Sequence, residues 1–234
     1  MMPIRKQLQI AIDGPSASGK STVAKGVAKR IDAYYVNTGM MYRLLAWLTI
    51  NDNIALNTAP NDVEKLLRAN EICFHVDKDC PNGTVLYLNN ARVDETKLRK
   101  PDVTARVSAI AKIPNLRSWM VALQRDTASL GRIVMEGRDI GTVVFPDAQY
   151  KFFVTASVEE RARRRFAQHD ENDDTTTLQS LIADLTERDR IDSTRKVAPL
   201  KPAAEAVVID TTNLSIAEAI ESIVSTLNIG AYSS

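Results

Sequence analysis

Short apolar runs alternate along this chain with longer stretches in which apolar residues return every three or four positions. The first run, Leu8-Gln9-Ile10-Ala11-Ile12, is apolar and partly β-branched and predicts a buried strand. It gives way to 22–31, where Val23, Val27 and Ile31 mark one face of a helix. A second strand is predicted at 33–36. Helices follow over about 40–50, with Leu44, Leu45, Trp47 and Leu48 as apolar surface, and about 61–69, with Asp62 near the positive end. The period then changes. Runs at 72–76, 84–88 and 91–93, separated by Pro81-Asn82-Gly83 and Asn89-Asn90, predict a three-stranded antiparallel meander. So small a sheet does not stand alone, so residues 70–95 read as an insertion.

Helical spacing returns over 96–111 (Leu98, Val103, Val107, Ile110) and 114–128 (Leu116, Trp119, Met120, Leu123). Strands at 132–136 and 150–154 flank Gly137-Arg138-Asp139-Ile140-Gly141-Thr142. Ser157 is placed to cap a helix carrying Arg161, Arg163, Arg164 and Arg165. A polar stretch, 169–177, leads to a helix ending near 188–191. The last strand is 207–210, and Ser215 with Glu218 forms a capping box for a final helix. Strands alternating with helices predict an α/β fold with a parallel sheet covered on both faces. Ligands in such sheets gather at the C-terminal strand ends. Lys20, Arg43, Arg138 and Asp139 follow the first three strands and should converge there.

Composition narrows the function classes. The 234 residues are 44% hydrophobic and 25% charged, with a net charge of +1. A balanced chain has no global field to draw it to nucleic acid or membrane, so anion binding must come from locally placed Arg and Lys. Cys73 and Cys80 lie in C-x₆-C spacing and only His75 and His169 accompany them, so no Cys/His zinc set forms without carboxylates. Two reduced thiols are expected. No apolar run reaches the roughly 18–20 residues of a membrane span, and residues 1–9 lack a signal-peptide core. The expectation is a cytoplasmic, monomeric protein without membrane or nucleic-acid partners.

The chemistry starts after the first strand. Gly14-Pro15-Ser16-Ala17-Ser18-Gly19-Lys20-Ser21 is a Gly-x-x-x-x-Gly-Lys-Ser P-loop, followed by Thr22 in a helix. Its N–H groups form an anion-binding concavity at a helix N-terminus. Lys20 can reach the β- and γ-phosphates, and the Ser21 hydroxyl can ligate Mg²⁺. A plain glycine-rich turn lacks this complete strand–loop–helix context. The chain is therefore expected to bind a nucleoside triphosphate with Mg²⁺. Arg43, Arg117, Arg138, Arg188 and Arg195 fall in loops or at helix ends, and guanidinium forks suit phosphate, so more than one phosphate group is implied. Any one of them alone could equally be a solvated surface charge. The Arg161–Arg165 run could face RNA or a triphosphate; its acidic flanks and the net charge of +1 argue against nucleic acid. Val207-Val208-Ile209-Asp210 has Walker B form but its position fits a structural last strand, whereas Glu136 is better placed to bring a carboxylate near Mg²⁺. No Asn-Lys-x-Asp occurs, against a guanine-specific GTPase.

Three segments together resemble the bacterial cytidylate kinase family of nucleoside-monophosphate (NMP) kinases. They are 12–22, Thr38-Gly39-Met40-Met41-Tyr42-Arg43, and the highly specific Gly137-Arg138-Asp139-Ile140-Gly141-Thr142-Val143-Val144-Phe145-Pro146. Glu187-Arg188-Asp189-Arg190-x-Asp192-x-x-Arg195 and Val197-Ala198-Pro199-Leu200 extend the likeness over nearly the whole chain. The resemblance implies a three-layer P-loop kinase fold with a five-stranded parallel sheet and the small antiparallel insertion. It implies one domain, with a core at 1–37 and 130–234, an NMP-binding region at 38–129 and a short lid at about 155–175. The implied reaction is phosphoryl transfer from ATP to CMP and dCMP. Lys20, Arg138 and Arg195 would be catalytic, and the P-loop with Arg161 and Arg165 would hold ATP. Thr38 and Tyr42 would line the acceptor site, where Arg43, Arg138 and Arg195 would hold the acceptor phosphate. Ser108, Arg117 and Asp139 would face the cytosine, and Arg188 and Asp192 the ribose. Asn37 and Glu136 stand where the family usually, or often, has Asp.

A phosphate-monoester acceptor is already largely dianionic at neutral pH, its second pKa lying near ~6. The implied chemistry therefore needs positioning and charge compensation rather than a base. Two other readings stay open on the residues: a small-molecule kinase in which Asp139 activates a hydroxyl, and a regulatory ATPase that uses the Arg161–Arg165 helix to bind RNA or protein.

Overall fold

A computed structural model describes residues 7–55, 60–77, 83–168 and 176–228, with side chains throughout except at 60–64. Cys80, Asp62, the Pro81-Asn82 half of the meander turn and the 169–175 part of the expected lid lie outside the residues or side chains described.

Five parallel strands form the main sheet: β1 (Leu8–Asp13), β2 (Tyr34–Asn37), β6 (Arg132–Gly137), β7 (Tyr150–Thr155) and β8 (Val207–Asp210), in the order β2-β6-β1-β7-β8. Between β2 and β6, β3 (Ile72–Val76), β4 (Thr84–Leu88) and β5 (Ala91–Arg92) form the expected antiparallel meander. β1 is central, in register with β6 from Leu8↔Arg132 to Asp13↔Gly137 and with β7 from Ile10↔Tyr150 to Asp13↔Phe153. Its Leu8, Ile10, Ala11 and Ile12 are fully buried, which is why the segment reads as a continuous apolar run and not an alternating one.

One face of the sheet packs against α1 (Lys20–Arg30) and α9 (Ile216–Val224), joining Val23, Val27 and Ile31 to Phe152, Val154 and Ile223 in a single cluster. The two helices approach so closely that a Cβ on Gly26 would lie 2.1 Å from Ile220 Cδ1. Five further helices build a second core. They are α2 (Thr38–Asn51), α3 (Pro60–Ala69), α4 (Glu95–Leu98), α5 (Pro101–Ile110) and α6 (Pro114–Asp126), packed through Met41, Leu44, Leu45, Leu98, Ile110 and Met120. The meander is tied to the main sheet at its margin: Thr84 Oγ1 donates to the Tyr35 carbonyl at 2.8 Å, and Gly83 bridges Tyr35 in parallel.

Where pattern and structure differ, local chemistry explains it. The single helix predicted over 96–111 is two, because Lys100 precedes a proline and is extended (φ −58°, ψ 149°), and Pro101 starts α5 at its first position. The helix predicted to 128 ends at Asp126 and tightens into a 3₁₀ turn, Thr127–Leu130. The helix expected to stop near 188–191 is α8 (Leu178–Thr194), opened by a Thr177–Ser180 capping box. Asp192 consequently sits in its last turn. Ser157 caps α7 (Val158–Phe166) by accepting from the Glu160 N–H, as expected, and the Ser215–Glu218 box caps α9. The segment after β6 is a π-turn, Ile140–Val144, which no periodicity announces. No described helix is long and apolar enough to cross a membrane.

Candidate active site

The C-terminal ends of β1, β2 and β6 open into one cavity of about 800 Å³. The P-loop forms one wall. Gly14 has φ 153°, and a Cβ there would lie 2.0 Å from the Val154 carbonyl oxygen, so only glycine lets the loop leave β1 this close to β7. Ser16, Ala17, Gly19, Lys20, Ser21 and Thr22 line the cavity. Gly14, Pro15 and Ser18 shape the loop behind them. Lys20 Nζ donates to the Pro15 carbonyl at 2.9 Å and is buried; burial, and then Arg138, push its pKa down to about 7, against the pull of Glu136.

Opposite the loop lie the arginines. Arg138 Nε donates to Asp192 Oδ2 at 3.2 Å, and Arg195 Nη1 lies 3.9 Å from Asp192 Oδ1. Burial lowers the pKa of Arg188 to about 10 and also depresses that of Arg195. Arg188 Nε and Arg195 Nη2 are buried donors with no hydrogen-bond acceptor in the structure. Buried polar groups are nearly always satisfied, so two orphaned guanidinium nitrogens beside a cavity point to an oxygen-rich ligand. Arg43 also lines the cavity, its Nη1 bonded to the Leu98 carbonyl at 2.9 Å and Thr104 Oγ1 at 2.7 Å.

A deeper corner holds Arg117 and Asp139, both buried, with Arg117 Nη2 donating to Asp139 Oδ2 and Nη1 to the Tyr42 hydroxyl at 3.4 Å. Burial pushes the Tyr42 phenol up to about 12, so it stays protonated. Ser108, on α5, and Thr38, whose Oγ1 donates to the Glu136 carbonyl at 2.8 Å, line the same cavity. The carboxylate of Glu136 accepts from the Tyr35 hydroxyl at 2.5 Å. Asn37 acts as the N-cap of α2, its side chain accepting from the Met40 N–H at 3.3 Å.

All ten residues expected on the acceptor side border this one cavity. The α7 arginines divide: Arg164 and Arg165 line the cavity, whereas Arg161 lies behind the P-loop with its guanidinium engaged by Ala156, Ser16 and Asp189. Sequence reasoning passed over Asp13. Its carboxylate accepts from the N–H groups of Ile140 at 2.7 Å and Gly141 at 2.8 Å, and so fixes the turn that carries Arg138 and Asp139. A charged residue ending a buried strand was the available signal. Arg125 holds the other end of that turn through the carbonyls of Val144 (3.0 Å) and Val143 (2.7 Å). Nothing in the local sequence announces this second clamp. Leu214 and Ile216, at the start of α9, also wall the cavity, and no sequence signal marks them for that place.

The donor set suits a hard cation held largely by phosphate oxygens and water. Ser21 and Glu136 offer oxygen ligands to the cavity, and the described residues contain no group of three or more His, Cys, Asp or Glu side chains that would cage a metal by themselves.

Comparison with known proteins agrees with this geometry. The cytidylate kinase family matches residues 10–229. A cytidylate kinase of Geobacillus sp. (strain WCH70) is 43% identical over 225 residues, covering 96% of this chain and 98% of that protein. One from Enterococcus faecalis (strain ATCC 700802 / V583) is 44% identical, covering 93% and 94%. A third, from Streptococcus mutans serotype c (strain ATCC 700610 / UA159), is 45% identical, covering 90% and 91%. A P-loop facing paired, orphaned arginines across one cavity, and a family match over nearly the whole length, lead to one conclusion: this chain belongs to the cytidylate kinase family.

Proposed function

We propose that this chain transfers the γ-phosphoryl group of ATP to CMP and dCMP, giving CDP and dCDP plus ADP. The observation that carries the reading is the single cavity, with Lys20 in the P-loop on one wall and the orphaned Arg188 Nε and Arg195 Nη2 on another. Two phosphate-bearing ligands can face each other there. The P-loop N–H groups and Lys20 would hold the donor, and Arg43, Arg138 and Arg195 the acceptor phosphate. Arg188 and Asp192 would take the ribose. Residues 38–129 would act as the acceptor arm, and α7 with the segment after it as the lid.

The acceptor supplies its own dianionic oxygen, so these side chains need only align it and offset charge. Lys20 and the arginines would flank the negative charge that accumulates between the two phosphates, and a preorganised cation in a closed site stabilises it without reorganising. Mg²⁺, held by Ser21 and, directly or through water, by Glu136, would neutralise phosphate charge when bound. Cytosine differs from uracil in carrying an amino donor where uracil has a carbonyl. Asp139, an acceptor beside Arg117 and Ser108, suits the former.

The pairing of Asp139 with Arg117 also weighs against a hydroxyl acceptor, since a base tied into a buried ion pair is poorly placed to take a proton. The α7 helix likewise offers RNA no open row of cations. Arg161 and Arg164 are bound to backbone carbonyls, and Arg163 pairs with Glu160. In this reading small nucleotides are the partners, a single chain is the working unit and the cytoplasm is its compartment. The test is ADP release from ATP and Mg²⁺ with CMP, dCMP, UMP, AMP, GMP and shikimate offered separately. Strong turnover with CMP and dCMP and weak turnover with UMP is expected; activity with shikimate alone would overturn the reading.

A further inference from the structure

A P-loop grips phosphate with backbone N–H groups, and those groups point only where their peptide planes allow. Each plane is rigid and trans, so the carbonyl of one residue and the N–H of the next face opposite ways. What holds a loop carbonyl therefore aims the following N–H. In this chain two such carbonyls are held by arginines of α7. Arg161 Nη1 donates to the Ser16 carbonyl at 3.2 Å from behind the loop, with its other nitrogens on the Ala156 carbonyl (3.0 Å) and Asp189 Oδ2 (2.6 Å). Arg164 Nη1 donates to the Ser18 carbonyl at 3.3 Å, and Thr211 Oγ1 donates to the same oxygen at 3.1 Å. Arg164 is itself fixed by Glu160 Oε1 at 3.0 Å and the Thr211 carbonyl at 2.7 Å.

The backbone that follows each clamp is unusual. Ala17 has φ 60° and Gly19 φ 83°, both left-handed. A residue with a Cβ keeps such a conformation only where its surroundings hold it there. Arg161, bonded to the carbonyl just before Ala17, reaches the loop from the side away from the cavity that Ala17 lines.

We infer that Arg161 and Arg164 are positioning residues of the donor site, which aim the Ala17 and Gly19 N–H groups at the donor phosphates by holding the carbonyls before them. Arg161 thus serves ATP without touching it. Because the same guanidinium reaches Asp189 on α8, beside Arg188, it also joins the donor loop to the helix that bears the acceptor arginines. The inference rests on the assignment of the P-loop as the ATP site.

Isothermal titration with ADP and, separately, with CMP tests it, together with amide NMR of the wild-type chain during the ADP titration. ADP is expected to move the Ala17 and Gly19 amide resonances strongly. Arg161→Lys keeps a cation for Asp189 but loses the planar fork, so ADP affinity should fall about tenfold while CMP affinity stays within about twofold. Arg30→Ala, at the exposed far end of α1 where it pairs with Glu221, should change neither. The inference is overturned if Arg161→Lys leaves ADP affinity intact, or if it weakens ADP and CMP equally, as a merely structural residue would. Silent Ala17 and Gly19 amides in the wild type would overturn it too, whether or not the variant folds. Failure of the acceptor assignment reads differently, as wild-type protein that binds ADP but not CMP.

Discussion

Lys20 shows how much one side chain's chemistry depends on its burial and on the charges around it. Buried and bonded to the Pro15 carbonyl, it has a pKa near 7, so it is partly neutral at physiological pH. A polyphosphate in the loop places negative charge beside it and favours the ammonium. Nucleotide binding at pH 7.5–8 should therefore take up a proton. Titrating ADP calorimetrically in buffers of different ionisation enthalpy measures this, and an uptake that persists in Lys20→Met would assign it elsewhere. Turnover should be lost in that variant. Asp139 carries a separate expectation. Asp139→Asn should narrow the preference for CMP over UMP by about tenfold, the scale set by one charge-assisted hydrogen bond. An unchanged ratio of kcat/KM would give Asp139 another role. Both residues were legible in the sequence, Lys20 from the P-loop and Asp139 from its place after a buried strand. The partners that set their behaviour were not. Pro15 is near Lys20 in the chain, but Arg117 reaches Asp139 from another helix, and such pairings exist only once the fold has closed.

Elements were readable where periodicity and end signals agreed and were misjudged where a single residue decided. Lys100-Pro101 split a helix that apolar spacing alone would have continued, and α8 ran on past its expected end because nothing before Arg195 stops it. The π-turn at Ile140–Val144 had no local signature, since it is held by Asp13 and Arg125 from other elements. The α1–α9 contact had none either. Glycine in mid-helix normally costs about 1 kcal/mol relative to alanine, so Gly26→Ala would be stabilising on propensity alone. With Ile220 Cδ1 at 2.1 Å and Cγ1 at 2.8 Å from the new Cβ, overpacking of about 1–3 kcal/mol should win. Chemical denaturation should show net destabilisation, relieved in an Ile220→Val background. Equal effects in both backgrounds would place the cause outside this contact.

At the scale of the whole molecule, a net charge of +1 hides strong local asymmetry, with cations gathered in one cavity and carboxylates such as Asp13 buried to organise it. Burial pushes the Asp13 pKa from 3.8 up to about 6, although the Gly141 and Ile140 N–H groups favour its charged form. A folded-state pKa raised this way makes the native state hold the proton more tightly, so stability falls as pH climbs from about 4 to about 6. At about 1.4 kcal/mol per pH unit the loss comes to about 3 kcal/mol. The stability advantage of wild type over Asp13→Asn should shrink across that window in urea unfolding; parallel profiles would remove Asp13 as the cause. The charge that is costly to bury is the form that accepts both N–H groups of the turn carrying Arg138 and Asp139.

The seam between Thr84 and Tyr35 bears on how the molecule keeps to itself. A parallel sheet has two margins, and an uncovered one is a template for other chains. At the β2 margin the meander lies across Tyr35, whereas at the β8 margin Val207 and Val208 stay 45% and 56% exposed. Trimming residues 70–95 would thus bare a second open margin of the sheet as well as strip Ile72 and Leu86 from the second core, and sedimentation should show the shortened chain self-associating where the full chain does not.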